Sequence, residues 1–226
     1  MSVLSLKRMG LFAALSAALI GCSSKSDKEL SDTDIVRGIF TSRSKVEPPS
    51  AQQVAAQVQA ALAATDAGLV LVALPNRKAV AVMQQIETNG PFVTYGTRER
   101  ISLTLRDGIV TATRGLGDDL MSSQVAAASQ LIRHRRAGQA DRVQRFLDGE
   151  NKEIAQTASC AITIGGAGSV QLGEAQRATQ AVTETCQAPS GAYQNSYQVD
   201  RATGRILQSK QWIGALNQHM VLQVLR

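Results

Sequence analysis

The sequence predicts a mainly β fold: one large, curved antiparallel meander sheet, closed or half-closed like a barrel, with one or two helices of which the main one is N-terminal. From residue 69 onward, short runs of alternating or continuous β-branched residues follow one another, and each run ends at turn residues. Most connections between the runs are shorter than the dozen or more residues that parallel neighbours need. About ten or more such strands form a sheet that has to curl.

The N-terminal residues have the order of a lipoprotein signal peptide. Lys7 and Arg8 precede an uncharged run rich in Leu and Ala at residues 11–20. That run is shorter than the roughly 20 apolar residues of a membrane-spanning helix. Leu, Ile and Gly at positions 19–21 followed by Cys22 match the bacterial lipobox, so residues 1–21 are predicted to be removed and Cys22 to receive diacylglycerol and palmitate. An ordinary secretory signal with an incidental Cys22 is the alternative.

The predicted lipid anchor sets the expected location of the chain. Ser23 follows Cys22, whereas an Asp at that position usually retains lipoproteins at the inner membrane. Acyl chains hold a protein at a bilayer by about 0.8 kcal/mol per buried methylene. We therefore expect a lipidated tether over residues 22–49, an outer-membrane location that faces the periplasm, and one β-rich domain over residues 50–226.

The charge balance and the cysteines are consistent with an exported protein. The formal net charge of +6 falls by two when Lys7 and Arg8 leave with the signal, so the mature chain is only mildly basic. Export also removes it from nucleic acid, and no nucleic-acid partner is expected. Cys160 and Cys186 form an even pair in an oxidising compartment and predict a disulfide. Two buried free thiols are the alternative.

Capping residues, apolar spacing and turn residues predict the helices and the first strands. Ser50 is suited to cap a helix that runs through residue 64, in which Val54, Val58 and Leu62 recur at four-residue spacing. Asp107 and Gly108 are a strong hairpin signal between two β runs. The predicted strands of this half are 69–74, 78–88, 92–95, 100–105 and 109–113. A second helix is predicted over 122–136.

The C-terminal half is predicted to return to strands. These strands are 142–147, 154–164, 178–187, 193–199, 205–212 and 219–225. A glycine cluster at 165, 166 and 168 is interpreted as a bend that breaks the strand before it, because it lacks the lysine of a phosphate-binding loop.

Two groups of residues at strand ends resemble a known family. The first is Thr113, Gly115, Leu116, Gly117, Asp119 and Leu120, in the pattern T-x-G-L-G-x-D-L. The second comprises Glu184, Cys186, Asn195, Tyr197, Gly204, Ile206, Ser209, Gln211, Trp212, Ile213 and Gly214, in the patterns E-x-C, N-x-Y, G-x-I and S-x-Q-W-I-G. With the lipobox, these motifs resemble the GfcB/YjbF lipoproteins. The resemblance implies a large curved sheet at the outer membrane and a non-enzymatic part in capsule or exopolysaccharide production and export.

The residues themselves give little sign of catalysis. His134 and His219 have no Cys, His or carboxylate neighbours at metal-ligand spacing. Asp118 and Asp119 are adjacent, and adjacent side chains diverge in a strand or turn, which disfavours a paired-carboxylate site. We expect no enzyme activity, no metal and no cofactor.

Two possible partner or polysaccharide surfaces remain. The aromatic candidates are Tyr193, Tyr197 and Trp212, which could stack on sugar rings or pack in the core. The basic candidates are Arg133, Arg135, Arg136 and Arg142, which could contact an acidic polymer or form a solvated helix end. The favoured interpretation is an interaction component that works with outer-membrane or periplasmic polysaccharide export proteins. The alternative is a binding module that itself holds an anionic polysaccharide.

Overall fold

The computed structural model of the protein describes residues 47–173 and 175–226. The predicted signal peptide, Cys22 and most of the predicted tether lie outside these residues. The helices are α1 (Ala51–Ala64) and α2 (Ala126–Arg133). The strands are β1 (Leu69–Leu74), β2 (Ala79–Asn89), β3 (Phe92–Gly96), β4 (Ser102–Arg106), β5 (Ile109–Arg114), β6 (Ser122–Gln124), β7 (Gly138–Leu147), β8 (Glu153–Leu172), β9 (Ala175–Ala188), β10 (Gly191–Asp200), β11 (Ile206–Trp212) and β12 (His219–Val224).

The strands form a single antiparallel sheet that nearly closes like a barrel. Its order is β5-β4-β3-β2-β1-β12-β11-β10-β9-β8-β7-β6, so β1 pairs with β12 and the rest is a meander. The two edge strands, β5 and β6, are consecutive in the chain. Because they are joined by a short turn, the two edges of the curled sheet lie beside each other. The predicted mainly β fold is confirmed.

The core follows from the alternation of buried and more exposed residues along strands such as β7 and β10. In β10, for example, Tyr193, Asn195, Tyr197 and Val199 are buried and the residues between them are more exposed. Apolar side chains at such alternate positions fill the inner side of the sheet. Helix α2 contributes Ile132, which is fully buried in this core.

The predicted N-terminal helix is present and begins with a capping box. The Ser50 hydroxyl accepts a hydrogen bond from the Gln53 amide at 3.2 Å, and the Gln53 side chain accepts one from the Ser50 amide at 2.8 Å. None of its residues is fully buried. The helix therefore covers the sheet only loosely.

Several predicted boundaries were wrong: the second helix ends at Arg133 and not at residue 136, and β7 begins at Gly138 and not at residue 142. Two further differences change the type or the extent of an element. Residues 122–124, predicted to begin the second helix, form β6, because they pair with Val143, Gln144 and Arg145 of β7. The glycine cluster does not end a strand either. Strand β8 continues to Leu172, and a bulge between Ile164 and Ala167 absorbs Gly165 and Gly166.

Candidate functional site

The turn between the edge strands is built around one carboxylate. Asp119 accepts hydrogen bonds from the Thr113 hydroxyl at 2.9 Å, the Gly115 amide at 2.8 Å and the Leu116 amide at 3.1 Å. The Thr113 hydroxyl in turn accepts from the Leu120 amide at 3.0 Å. Gly115 has a φ of +83°, a conformation that a residue with a side chain rarely adopts. The T-x-G-L-G-x-D-L pattern therefore encodes the turn that closes the sheet.

This closing turn is fastened to the β11–β12 connection. The Asp118 carboxylate accepts a hydrogen bond from the Leu216 amide at 3.0 Å. The Asn217 side chain donates to the Gly117 carbonyl at 2.8 Å and to the Asp118 carbonyl at 3.2 Å. Segments almost 100 residues apart in the chain thus form one end of the sheet.

A second polar cluster lies inside the sheet, around Glu184. One carboxylate oxygen, Oε2, accepts from Arg142 Nη1 at 3.0 Å, Asn195 Nδ2 at 2.7 Å and the Tyr197 hydroxyl at 2.8 Å. All four side chains are at least 99% buried. The Asn195 oxygen also accepts from the Trp212 amide at 2.7 Å. The E-x-C, N-x-Y and Q-W motifs therefore meet in one buried network.

Burial and charge act against each other on Arg142. Burial is the largest effect and disfavours the charged guanidinium, but the attraction and hydrogen bond of Glu184 together with Tyr197 and Tyr193 outweigh it, and the pKa of Arg142 is raised above its ordinary value. Burial, reinforced by the Glu184 charge, holds the pKa of Tyr197 well above its usual range. Arg142 is therefore a permanent cation and Tyr197 a permanent hydrogen-bond donor. This chemistry suits a structural ion pair rather than proton transfer near neutral pH.

The buried network overturns part of the predicted surfaces. Arg142 is 1% exposed and does not belong to a basic surface, because alternation along β7 directs it to the inner side, where Glu184 compensates its charge. Tyr197 is likewise 1% exposed and is not available to stack on a sugar. The signal that could have placed them is the motif itself, since Glu184, Cys186, Asn195 and Tyr197 occupy alternate positions that share one face.

Tyr193 and Trp212, the other two residues of the predicted aromatic surface, are in contact with each other. The rings of Tyr193 and Trp212 stack with centroids 5.8 Å apart, and His219 approaches Trp212 edge-on at 5.5 Å. Tyr193 is nearly buried, and its hydroxyl donates to the Gln144 side chain at 3.2 Å. Tyr193 and Trp212 therefore each use one ring face inside the protein. Of these three rings, the half-buried Trp212 and His219 reach solvent, and no sequence motif had linked His219 to Trp212.

The remaining arginines gather at the C-terminal end of α2. Arg133 forms an ion pair with Asp107 at 2.9 Å, in the β4–β5 hairpin. Arg135 donates to the Asp200 carbonyl at 3.1 Å and to the Arg133 carbonyl at 3.2 Å. Arg136 is exposed. Two of the predicted surface arginines thus also fix the helix to neighbouring loops.

The predicted disulfide is present. Cys160 and Cys186 are directly opposite each other on β8 and β9, and their sulfur atoms are bonded at 2.03 Å. Glu184 lies close to both sulfur atoms. Because the sulfurs are bonded to each other, neither is a thiolate that could hold a metal ion with Glu184.

Comparisons with known proteins identify a solved structure with the same fold. Neither helix within the described residues is long and apolar enough to cross a membrane. A search of curated proteins finds no match. The fold is similar to the crystal structure of the hypothetical lipoprotein YmcC from Escherichia coli K12, with a TM-score of 0.64 and 17% sequence identity over 88% of this chain and 97% of that chain.

The family model supplies the assignment. Residues 14–225 match the model described as group 4 capsule polysaccharide lipoprotein GfcB, YjbF. The match contains the lipobox, the closing turn and every motif of the buried network, so the family resemblance predicted from those motifs is confirmed. The chain belongs to the GfcB/YjbF family of group 4 capsule polysaccharide lipoproteins.

Proposed function

We propose that this lipoprotein takes part in the production or export of a capsule or exopolysaccharide as a non-catalytic interaction component. The observation that carries the proposal is the family match over residues 14–225. Its partners are polysaccharide export proteins of the outer membrane or periplasm. Cys22 carries the lipid, and Ser23 behind it favours the outer membrane, with the β-sheet on the periplasmic side.

The use of the motif residues supports a non-catalytic role. Asp119 and Glu184 each accept three hydrogen bonds from the protein itself. Gln211 spans the inside of the sheet, donating to the Gly108 carbonyl at 3.0 Å and accepting from the Val110 amide at 2.9 Å. A catalytic centre needs polar groups that converge on a substrate. These groups instead converge on one another.

Deletion of the gene tests the proposal. The amount and sugar composition of surface and secreted polysaccharide are measured in the deletion strain, under conditions in which the gene is expressed. We expect a reduced or altered polymer, restored by the wild-type gene. An unchanged polymer in the deletion strain contradicts the assignment to this pathway.

A further inference from the structure

An open groove of about 340 Å³ lies where the β4–β5 hairpin, the end of α2 and the start of β11 meet. Pro91, Val93, Ile206 and Val224 form apolar walls. Its volume falls in the range of small-molecule sites, about 300–1,000 Å³. The groove is lined by both apolar and polar side chains, so it is not simply a charged patch on the surface.

Four polar side chains line the same groove: Tyr95, Asp107, Arg133 and Arg205. Asp107 accepts from Arg133 at 2.9 Å and from the Ser129 hydroxyl at 2.9 Å, which holds Arg133 in place, and the same carboxylate lies 3.8 Å from Arg106. Arg205 is exposed and has no ion-pair partner within residues 47–173 and 175–226. The charged side chains that line the groove, one carboxylate and two arginines, carry one net positive charge, and Arg106 beside Asp107 adds a second.

Tyr95 lines the groove together with Arg205. The residue is half-buried, and burial raises the pKa of its hydroxyl, while the nearby Arg205 charge offsets part of that rise. The hydroxyl is therefore neutral and available to donate or accept a hydrogen bond. A planar guanidinium beside a phenol hydroxyl can contact a carboxylate through paired N–H donors and a neighbouring sugar hydroxyl through the phenol.

We propose that this groove binds an acidic sugar residue of the polymer, one that carries a carboxylate. Arg205 contacts the carboxylate, Tyr95 a ring hydroxyl, and the apolar walls the C–H face of the ring. Within the part of the chain that the structure describes, Arg205 is the lining arginine without an ion pair, and one guanidinium pairs with one carboxylate through two N–H donors. A lipid phosphodiester also carries one negative charge and is the alternative ligand that the test has to separate. The proposal rests on the proposed function and deepens it by naming the class of ligand.

Binding by the full-length protein, purified in detergent, tests the groove. The acidic probes are oligosaccharide fragments of polygalacturonate, alginate and hyaluronan, and the neutral probe is maltooligosaccharide of similar length. We expect at least one acidic probe to bind and the neutral probe to bind more weakly. Arg205→Gln should weaken that binding about tenfold, because it removes the charged pair of N–H donors, and Tyr95→Phe about threefold, because it removes one neutral hydroxyl.

Arg98→Gln is the matched control, because Arg98 is also an exposed arginine but does not line the groove. It should bind as the wild type does, and all three variants should keep the wild-type melting temperature. Vesicles that contain phosphatidylglycerol test a lipid phosphate as the ligand. The proposal is overturned if no acidic probe binds, if Arg205→Gln and Arg98→Gln bind equally, or if only the vesicles respond to Arg205→Gln.

The binding result is separable from the pathway. If the deletion strain has altered polysaccharide but no acidic probe binds, the groove assignment fails and the proposed function stands. If Arg205→Gln weakens binding while the deletion strain makes normal polymer, the groove is a sugar site and the pathway assignment fails.

Discussion

Arg142 and Glu184 form an ion pair of 3.0 Å inside the sheet, with 1% and 0% of their side chains exposed. The pair joins β7 to β9 across the intervening β8. Removing two charges from water is costly, and the pair persists because Asn195 and Tyr197 also donate to the same carboxylate. The consequence is a core whose stability depends on every member being present.

Loss of one partner of the Arg142–Glu184 pair should therefore destabilise the protein strongly. Arg142→Met leaves the Glu184 carboxylate buried without its counter-charge and should lower the free energy of unfolding by about 3–5 kcal/mol. Arg145→Met is the matched control, since Arg145 lies on the same strand and pairs with the exposed Glu153, and should cost at most about 1 kcal/mol. Urea unfolding measures both. Equal effects of the two substitutions contradict the structural role of the buried pair.

The closing turn should depend on Asp119. Asp119→Ala removes the acceptor of three hydrogen bonds and should lower the free energy of unfolding by about 2–3 kcal/mol. Asp141→Ala, which removes a single exposed hydrogen bond to Ser159, should cost less than about 1 kcal/mol. If Asp119→Ala unfolds at the wild-type urea concentration, the carboxylate does not hold the two edges together.

Asp200 should make stability depend on acid pH. Its hydrogen bond with Arg177, at 2.9 Å, and those from the Ala202 and Thr203 amides outweigh the opposing effect of burial and lower its pKa to about 2. A carboxyl group with a lowered folded-state pKa stabilises the protein above its unfolded pKa, near 3.9, and that contribution is lost as the pH falls through 2.

The test compares wild type with Asp200→Asn, which keeps an acceptor oxygen but removes the charge. Urea unfolding from pH 7 to pH 2 should show wild type as the more stable protein at pH 7 and a difference that shrinks between about pH 4 and pH 2. In an Arg177→Gln background the difference should be smaller throughout. A difference that grows as the pH falls has the wrong sign for this account.

The disulfide should stabilise the C-terminal sheet. Cys160 and Cys186 are 26 residues apart, and on the chain-entropy model a loop of that length contributes roughly 3.5 kcal/mol. Replacing both cysteines by Ala should lower the free energy of unfolding by about this amount, and a reducing agent should change the wild type but not the double variant. Mass spectrometry that finds both cysteines free in the unreduced protein contradicts the bond.

The sequence is sufficient to predict features that depend on neighbouring residues. The hairpin at Asp107 and Gly108 is one, because both adopt positive φ angles that few other residue pairs tolerate. The capping box at Ser50 and Gln53 is another. Each signal lies within four residues, so no knowledge of the tertiary structure is needed to recognise it.

The candidate site was harder to predict from the sequence, because its residues come together from distant positions in the chain. In β7 the apolar Val143 and Leu147 share a face with Asp141 and Arg145, whereas Arg142 lies on the inner face. Local hydrophobicity therefore suggests the wrong register for this strand. The partner that makes an inward Arg142 possible, Glu184, is 42 residues away. Similarly, residues 122–124 become a strand only because β7 is beside them.

Polysaccharide output in a complemented deletion strain tests the central claim, a lipid-anchored role in polymer production or export, most directly. The strain receives either the wild-type gene or Cys22→Ser, at matched expression levels. The wild type should restore the amount and composition of the polymer. Cys22→Ser should remain an unprocessed precursor without palmitate label and should not restore them. Full restoration by an unlabelled Cys22→Ser protein, or normal polymer before any gene is returned, contradicts the account.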